Sequence, residues 1–229
     1  GGYSNGYLRL GEDEYVSLSD SLAKYLKRLE GIAQNGRGGE RVSLFQTGAL
    51  ADIVRKGGLD IKADKEYREK LAKINESATL NPAVPSALKA ELRDYQEEGF
   101  RWMARLDHWG AGACLADDMG LGKTVQTIAF LLYKASAGAS LVVAPASVLM
   151  NWVRELARFA PSLNVIVLNE QDDRADSLSG IGEYDVVLTT YGLLVREKEA
   201  LTSVDWNVVC LDEAHTIKNR GTKMSDSAM

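Results

Sequence analysis

At 229 residues the chain is long enough for one full domain with an appendage, or for two small domains. Hydrophobic residues make up 45% and charged residues 26%, which supplies a packed core and excludes a disordered or collagen-like chain. The formal net charge of −5 is uneven: residues 1–90 carry 14 basic and 12 acidic side chains, residues 91–229 carry 13 and 20, and no basic arm or stripe marks a nucleic-acid surface.

In chain order, Tyr7-Leu8-Arg9-Leu10 and Glu14-Tyr15-Val16-Ser17-Leu18 alternate on either side of Gly11-Glu12-Asp13, which predicts a β-hairpin. Residues 20–29 read as a helix with Asp20 as N-cap and Leu22, Tyr25, Leu26 and Leu29 on one face. The Gly-rich, polar stretch 31–40 reads as a loop, followed by helices near 47–56 and 65–75. Asn81-Pro82-Ala83-Val84-Pro85-Ser86 carries two prolines, which disfavour both helix and paired strand, so a domain boundary is expected there. Residues 1–85 then form a small, mainly helical accessory domain with a short hairpin, and residues 86–229 a second domain.

Beyond the boundary the pattern becomes strand and helix in alternation. A helix over 94–106 should gather Tyr95, Trp102, Met103 and Leu106 on one face. Near-continuous apolar runs at 113–116, 140–144, 164–168, 185–189 and 207–211 read as strands buried on both faces. Helices are expected at 123–135, with Val125, Ile128 and Leu132 aligned, and at 148–159, stopped by Pro161. Together these predict an α/β domain, a parallel sheet with helices on both faces.

No apolar run approaches the ~18–20 residues that span a bilayer, and Gly1-Gly2-Tyr3-Ser4-Asn5-Gly6 has no charged-then-apolar leader, so a cytoplasmic protein without a membrane partner is expected. Cys114 and Cys210, far apart and each in an apolar run, read as buried free thiols. The two histidines, His108 and His215, have no neighbouring ligands that would make a metal centre.

Two motifs carry chemistry. Asp117-Asp118-Met119-Gly120-Leu121-Gly122-Lys123-Thr124 stands between a predicted strand and a predicted helix. Glycines let backbone wrap a phosphate, the helix N-terminus favours anions, Lys123 reaches the β/γ oxygens and Thr124 offers a hydroxyl to Mg²⁺; the general phosphate-loop pattern has Gly where Asp117 stands. Asp212-Glu213-Ala214-His215 follows the last strand, where Asp212 can hold Mg²⁺ and Glu213 can polarise water; alone, the same acids could simply stabilise a helix N-terminus.

These blocks, together with Leu92-Arg93-Asp94-Tyr95-Gln96, Val143-Ala144-Pro145-Ala146-Ser147-Val148-Leu149-Met150-Asn151-Trp152, Leu188-Thr189-Thr190-Tyr191 and Ile217-Lys218-Asn219, resemble the first RecA-like lobe of Swi/Snf-type ATPases, superfamily-two translocases on double-stranded DNA. In that family Asp117 is usual. The resemblance covers about residues 90–229, and more loosely residues 1–90 resemble the accessory segment upstream of the motor in bacterial members. It implies a nucleoid-associated ATP hydrolase using Mg²⁺, with Lys123, Asp212 and Glu213 catalytic and Gln96 reading adenine through an amide that donates and accepts at once. It further implies DNA contacts from Pro145, Ser147, Asn151, Thr189, Thr190, Tyr191 and Lys218, although a solvated Lys218 is equally compatible with the sequence. Trp152 lies on the Leu149, Val153, Leu156 face and reads as core. The chain stops at Met229, soon after His215, so a second lobe with an arginine finger is expected to lie outside it. Two alternatives are a strand-separating superfamily-two helicase or restriction-type motor, and a non-hydrolytic nucleotide-binding scaffold; the four intact residues Lys123, Thr124, Asp212 and Glu213 argue against the scaffold.

Overall fold

The computed structural model describes residues 65–118 and 120–217, with the backbone of five short strands between residues 3 and 42 and helical positions at 24 and 51. The chain divides into two compact units, residues 1–80 with 105–112, and residues 81–104 with 113–229.

In the first unit, β1 (Tyr3–Ser4), β2 (Tyr7–Arg9) and β3 (Tyr15–Ser17) form an antiparallel sheet in that order, and β2 and β3 are the hairpin expected from their alternation, with Leu8 opposite Val16. The stretch read as a loop instead holds a second hairpin, β4 (Ala33–Gly36) with β5 (Gly39–Val42), registered Ala33 to Val42 and Gly36 to Gly39. Its strands, Ala33-Gln34-Asn35-Gly36 and Gly39-Glu40-Arg41-Val42, lack the apolar–polar alternation and, but for Val42, the β-branched residues that mark a hairpin in a sequence. Helix α1 (Lys65–Ser77) half-buries Tyr67, Leu71 and Ile74, and ends where the Ser77 hydroxyl donates to the Ile74 carbonyl. Apart from positions 24 and 51, the expected helices 20–29 and 47–56 lie outside the described residues.

The second unit is built on a parallel sheet ordered β7 (Asn164–Val167), β8 (Asp185–Thr190), β6 (Ser140–Ala144), β9 (Val208–Leu211). All five residues of β6 are buried. Because alternate strand residues face opposite sides, Val142 and Ala144 enter one core cluster with Phe100, Ile128, Leu131, Trp152 and Leu156, while Leu141 and Val143 enter another with Leu168, Leu178, Tyr191, Leu193 and Leu201. The first cluster is covered by α3 (Lys123–Lys134) and α4 (Ala146–Phe159), the second by the short helices α5 (Arg174–Leu178), α6 (Tyr191–Arg196) and α7 (Lys198–Thr202). Helices on both faces are thus the outcome of strands with no polar side.

Two expectations are corrected. Residues 113–116 form no strand; Ala113, Cys114 and Ala116 are exposed and Leu115 half-buried. The run is short, flanked by Gly112 and two aspartates, and lacks β-branched residues, so it has little to gain from pairing. Exposed Cys114 is therefore not the buried thiol expected, whereas burial pushes the Cys210 thiol up to about 12, with the Asp212 carboxylate adding to the shift. Helix α2 (Asp94–His108) buries Phe100, Met103 and Ala104, while Tyr95 and Trp102 are exposed. Phe100 of that i, i+3, i+4 set meets α3, where its ring and that of Tyr133 lie edge-to-face with centroids 5.7 Å apart.

Candidate nucleotide site and the strand ends

The loop before α3 is shaped by Gly120 and Gly122, with φ of +85° and +72°. The φ of Gly122 disfavours any L side chain, and a methyl group there would stand 2.4 Å from Gln96 Nε2 and push that amide off the loop. Gly122 caps α3 without a side-chain hydrogen bond, the first turn has no acid, and Lys123 opens the helix. Such a start leaves N–H groups and positive potential for an anion, the reverse of the acid-rich start that stabilises an ordinary helix. The Lys123 ammonium folds back over the loop and donates to the carbonyls of Asp117 (2.7 Å) and Asp118 (3.0 Å). Asp117, Asp118, Gly120 and Leu121 are exposed and Thr124 half-buried; Met119 lies outside the described residues.

Two glutamines brace this loop. Gln96 accepts from the Arg93 N–H (3.0 Å) and donates to the Leu121 carbonyl (3.2 Å), joining the start of α2 to the loop. Gln126, fully buried on α3, directs its amide NH₂ at the carbonyls of Leu121 (3.4 Å) and Gly122 (3.5 Å), while its oxygen is buried without a partner. It fits only because residue 99 is glycine: a methyl there would meet Gln126 Oε1 at 1.9 Å. No motif points to Gln126; its one signal in the sequence is a polar residue inside the apolar face of a helix.

In a parallel sheet all strands end on the same side. Pro145 and Ser147 follow β6, Thr190 and Tyr191 close β8, and Asp212 and Glu213 follow β9, so these candidates share one edge of the sheet. Asp212 is held at every polar atom. Its N–H donates to the Val143 carbonyl (2.8 Å), its carbonyl accepts from the Tyr191 hydroxyl (2.7 Å), Oδ1 accepts from the Glu213 N–H (2.9 Å) and Oδ2 from Trp152 Nε1 (2.8 Å). Glu213 adopts φ +51°, rare for a non-glycine, and its carboxylate stands 3.1 Å from His215 Nδ1.

The other candidates divide by exposure. Ser147 and Asn151 are exposed on α4, with the Asn151 amide donating to Glu155 (2.9 Å), and Pro145 is half-buried. Thr190 caps α6, its hydroxyl accepting from the Leu193 N–H (3.3 Å). Thr189 is fully buried with its hydroxyl unpartnered, and Tyr191 is 4% exposed. Burial pushes the Tyr191 phenol up to about 12, so it is a neutral donor at physiological pH. Lys218 lies outside the described residues. Trp152, 3% exposed, is core as expected, and its indole N–H also bonds Asp212, a contact that helical spacing does not announce.

Phosphate and magnesium fit the residues present. The glycine cradle, the uncapped helix start and Lys123 suit a polyphosphate; Thr124 and Asp212 supply the hard oxygen donors Mg²⁺ takes.

The SNF2-related domain model matches residues 95–229. YwqA of Bacillus subtilis is 41% identical over 221 residues, 93% of this chain and 23% of its own length. ISW2 of Saccharomyces cerevisiae, an ISWI chromatin-remodeling complex ATPase, is 43% identical over 150 residues, 62% of this chain and 13% of its own length. Among solved structures, the Sulfolobus solfataricus SWI2/SNF2 ATPase core in complex with double-stranded DNA is similar with a TM-score of 0.57 and 44% identity, covering 65% of this chain and 31% of that one. The chain thus spans less than a third of these relatives.

Proposed function

Since the chain belongs to the SNF2-related family, we propose that residues 86–229 act as the ATP-binding lobe of an ATP-dependent double-stranded-DNA translocase, with residues 1–85 as an accessory region. The observation that carries this reading is the cradle formed by Gly120, Gly122 and the acid-free start of α3 under Lys123. Lys123 exchanges its two loop carbonyls for phosphate oxygens when nucleotide binds, a charge-assisted replacement for neutral bonds. Gln96, already in contact with the loop, reads adenine with its amide. Thr124 and Asp212 hold Mg²⁺, which supplies neutralisation of the phosphate charge. Glu213 orients and polarises the attacking water, and its left-handed backbone is strain kept at the place where that carboxylate must point.

For DNA, Ser147, Asn151 and Thr190 offer side-chain donors to phosphates at the sheet edge and Lys218 a charge, with Pro145 setting the turn into α4; Thr189 and Tyr191, expected as direct contacts, are buried and instead support that edge from within. In the intact protein, Lys123→Ala is expected to abolish binding of a fluorescent ATP analogue. Glu213→Gln should bind it normally and lose DNA-dependent hydrolysis by ~10²–10⁴-fold. Wild-type hydrolysis by the glutamine variant would remove Glu213 from its role, and efficient displacement of strands from a blunt duplex by the intact protein would favour a helicase over a translocase.

A further inference from the structure

The indole of Trp152 is buried, and its one polar group, a donor only, is aimed at Asp212 Oδ2 at 2.8 Å. Oδ1 is engaged by the Glu213 N–H at 2.9 Å, so each carboxylate oxygen has one protein partner and retains acceptor capacity for a cation. The main chain of Asp212 is independently pinned by Val143 and Tyr191. With the backbone fixed from elsewhere, what Trp152 adds is the orientation of the carboxylate. The same helix, α4, presents Ser147 and Asn151 to solvent, so any displacement of α4 is transmitted to that carboxylate through a rigid ring.

We propose that Trp152 is a positioning residue for the magnesium site: it locks the Asp212 carboxylate before the cation arrives and ties α4 to it. This rests on the reading of Asp212 as the cation ligand. An outer partner of a metal ligand typically changes metal affinity by ~10–100-fold when removed. A residue that only filled the core would not alter cation dependence selectively.

The test measures binding of the fluorescent nucleotide mant-ADP to the intact protein across a Mg²⁺ titration and in EDTA, with thermal unfolding alongside. Trp152→Phe should leave affinity in EDTA within about twofold and raise the half-maximal Mg²⁺ concentration by roughly tenfold or more. Combined with Asp212→Asn it should add nothing to the effect of Asp212→Asn alone, because the indole acts through that carboxylate. If Trp152→Phe fails to fold, benzothienylalanine at position 152 keeps the shape and replaces only the N–H by sulfur. An unchanged Mg²⁺ midpoint in the Trp152 variants while Asp212→Asn shifts it overturns this proposal and leaves the cation reading standing. Full additivity in the double variant overturns it too, and no shift even with Asp212→Asn removes the cation reading itself.

Discussion

At the scale of single residues, Gly122 is the position where space and backbone demand the same thing. Its φ of +72° costs an L-residue ~1 kcal/mol or more, and the methyl of an alanine would collide with the Gln96 amide at 2.4 Å. Gly122→Ala should therefore break the Gln96 to Leu121 bond and weaken binding of a fluorescent ATP analogue by at least ~10-fold, while moving the unfolding midpoint by only a few degrees. Wild-type nucleotide affinity in that variant would show that Gln96 is not needed as a brace. The loop motif was legible because glycine, lysine and threonine each have one evident use at a phosphate. The braces were not. Gln126 and Trp152 sit at helical spacing among apolar residues, and only three-dimensional placement reveals that the polar end of each has a partner or a target.

Among elements, the joints between strand ends and the helices after them decide the site. β8 passes directly into α6, and Tyr191, the first residue of that helix, reaches across to the Asp212 carbonyl just beyond β9. Its phenol is raised from an ordinary 10 to about 12, first by burial and further by the nearby Asp212 and Glu213 carboxylates, against a hydrogen bond with Thr216 that lowers it. Below pH 10 the phenol is neutral in folded and unfolded chains alike, so its contribution is constant there. Between pH 10 and about 12 the unfolded phenol ionises while the folded one does not, and stability is lost as pH rises, by at most ~1.4 kcal/mol per pH unit. Chemical denaturation across that window should show wild type losing its advantage over Tyr191→Phe as pH climbs; a gap between them that stays constant from pH 10 to 12 would contradict the burial of this hydroxyl. Strands β6 to β9 and helices α3 and α4 were legible from near-continuous apolar runs and 3.6-residue stripes. The hairpin of β4 and β5 was masked by its polar composition, and residues 113–116 looked like a strand because period alone cannot register the lack of β-branched side chains.

For the whole molecule, charge and coverage set what these 229 residues can do. Residues 91–229 carry 13 basic and 20 acidic side chains, so on the proposed reading a duplex would meet a net negative surface and its phosphate contacts would have to be local. The chain covers 31% of the Sulfolobus ATPase core solved with double-stranded DNA, so most of the surface that such a core presents lies beyond these residues. Gln96, the glycine cradle, Lys123 and Asp212 all lie on the proposed ATP-binding lobe, and on that reading the 229 residues are expected to bind nucleotide by themselves. Transition-state stabilisation from an opposing arginine is worth ~10³–10⁵-fold in related phosphoryl-transfer sites, so if, as proposed, such a group faces this lobe from a second one, the 229 residues tested by themselves should turn over slower by that order. Each phosphate contact they fail to make should flatten the plot of log affinity against log salt by ~0.9 units relative to the intact protein. Parallel ATPase and DNA-binding assays on the two, over a salt series, test both statements. Strong DNA-stimulated hydrolysis by the 229 residues alone, with a salt slope equal to that of the intact protein, would mean that this lobe carries the whole catalytic and DNA-binding apparatus.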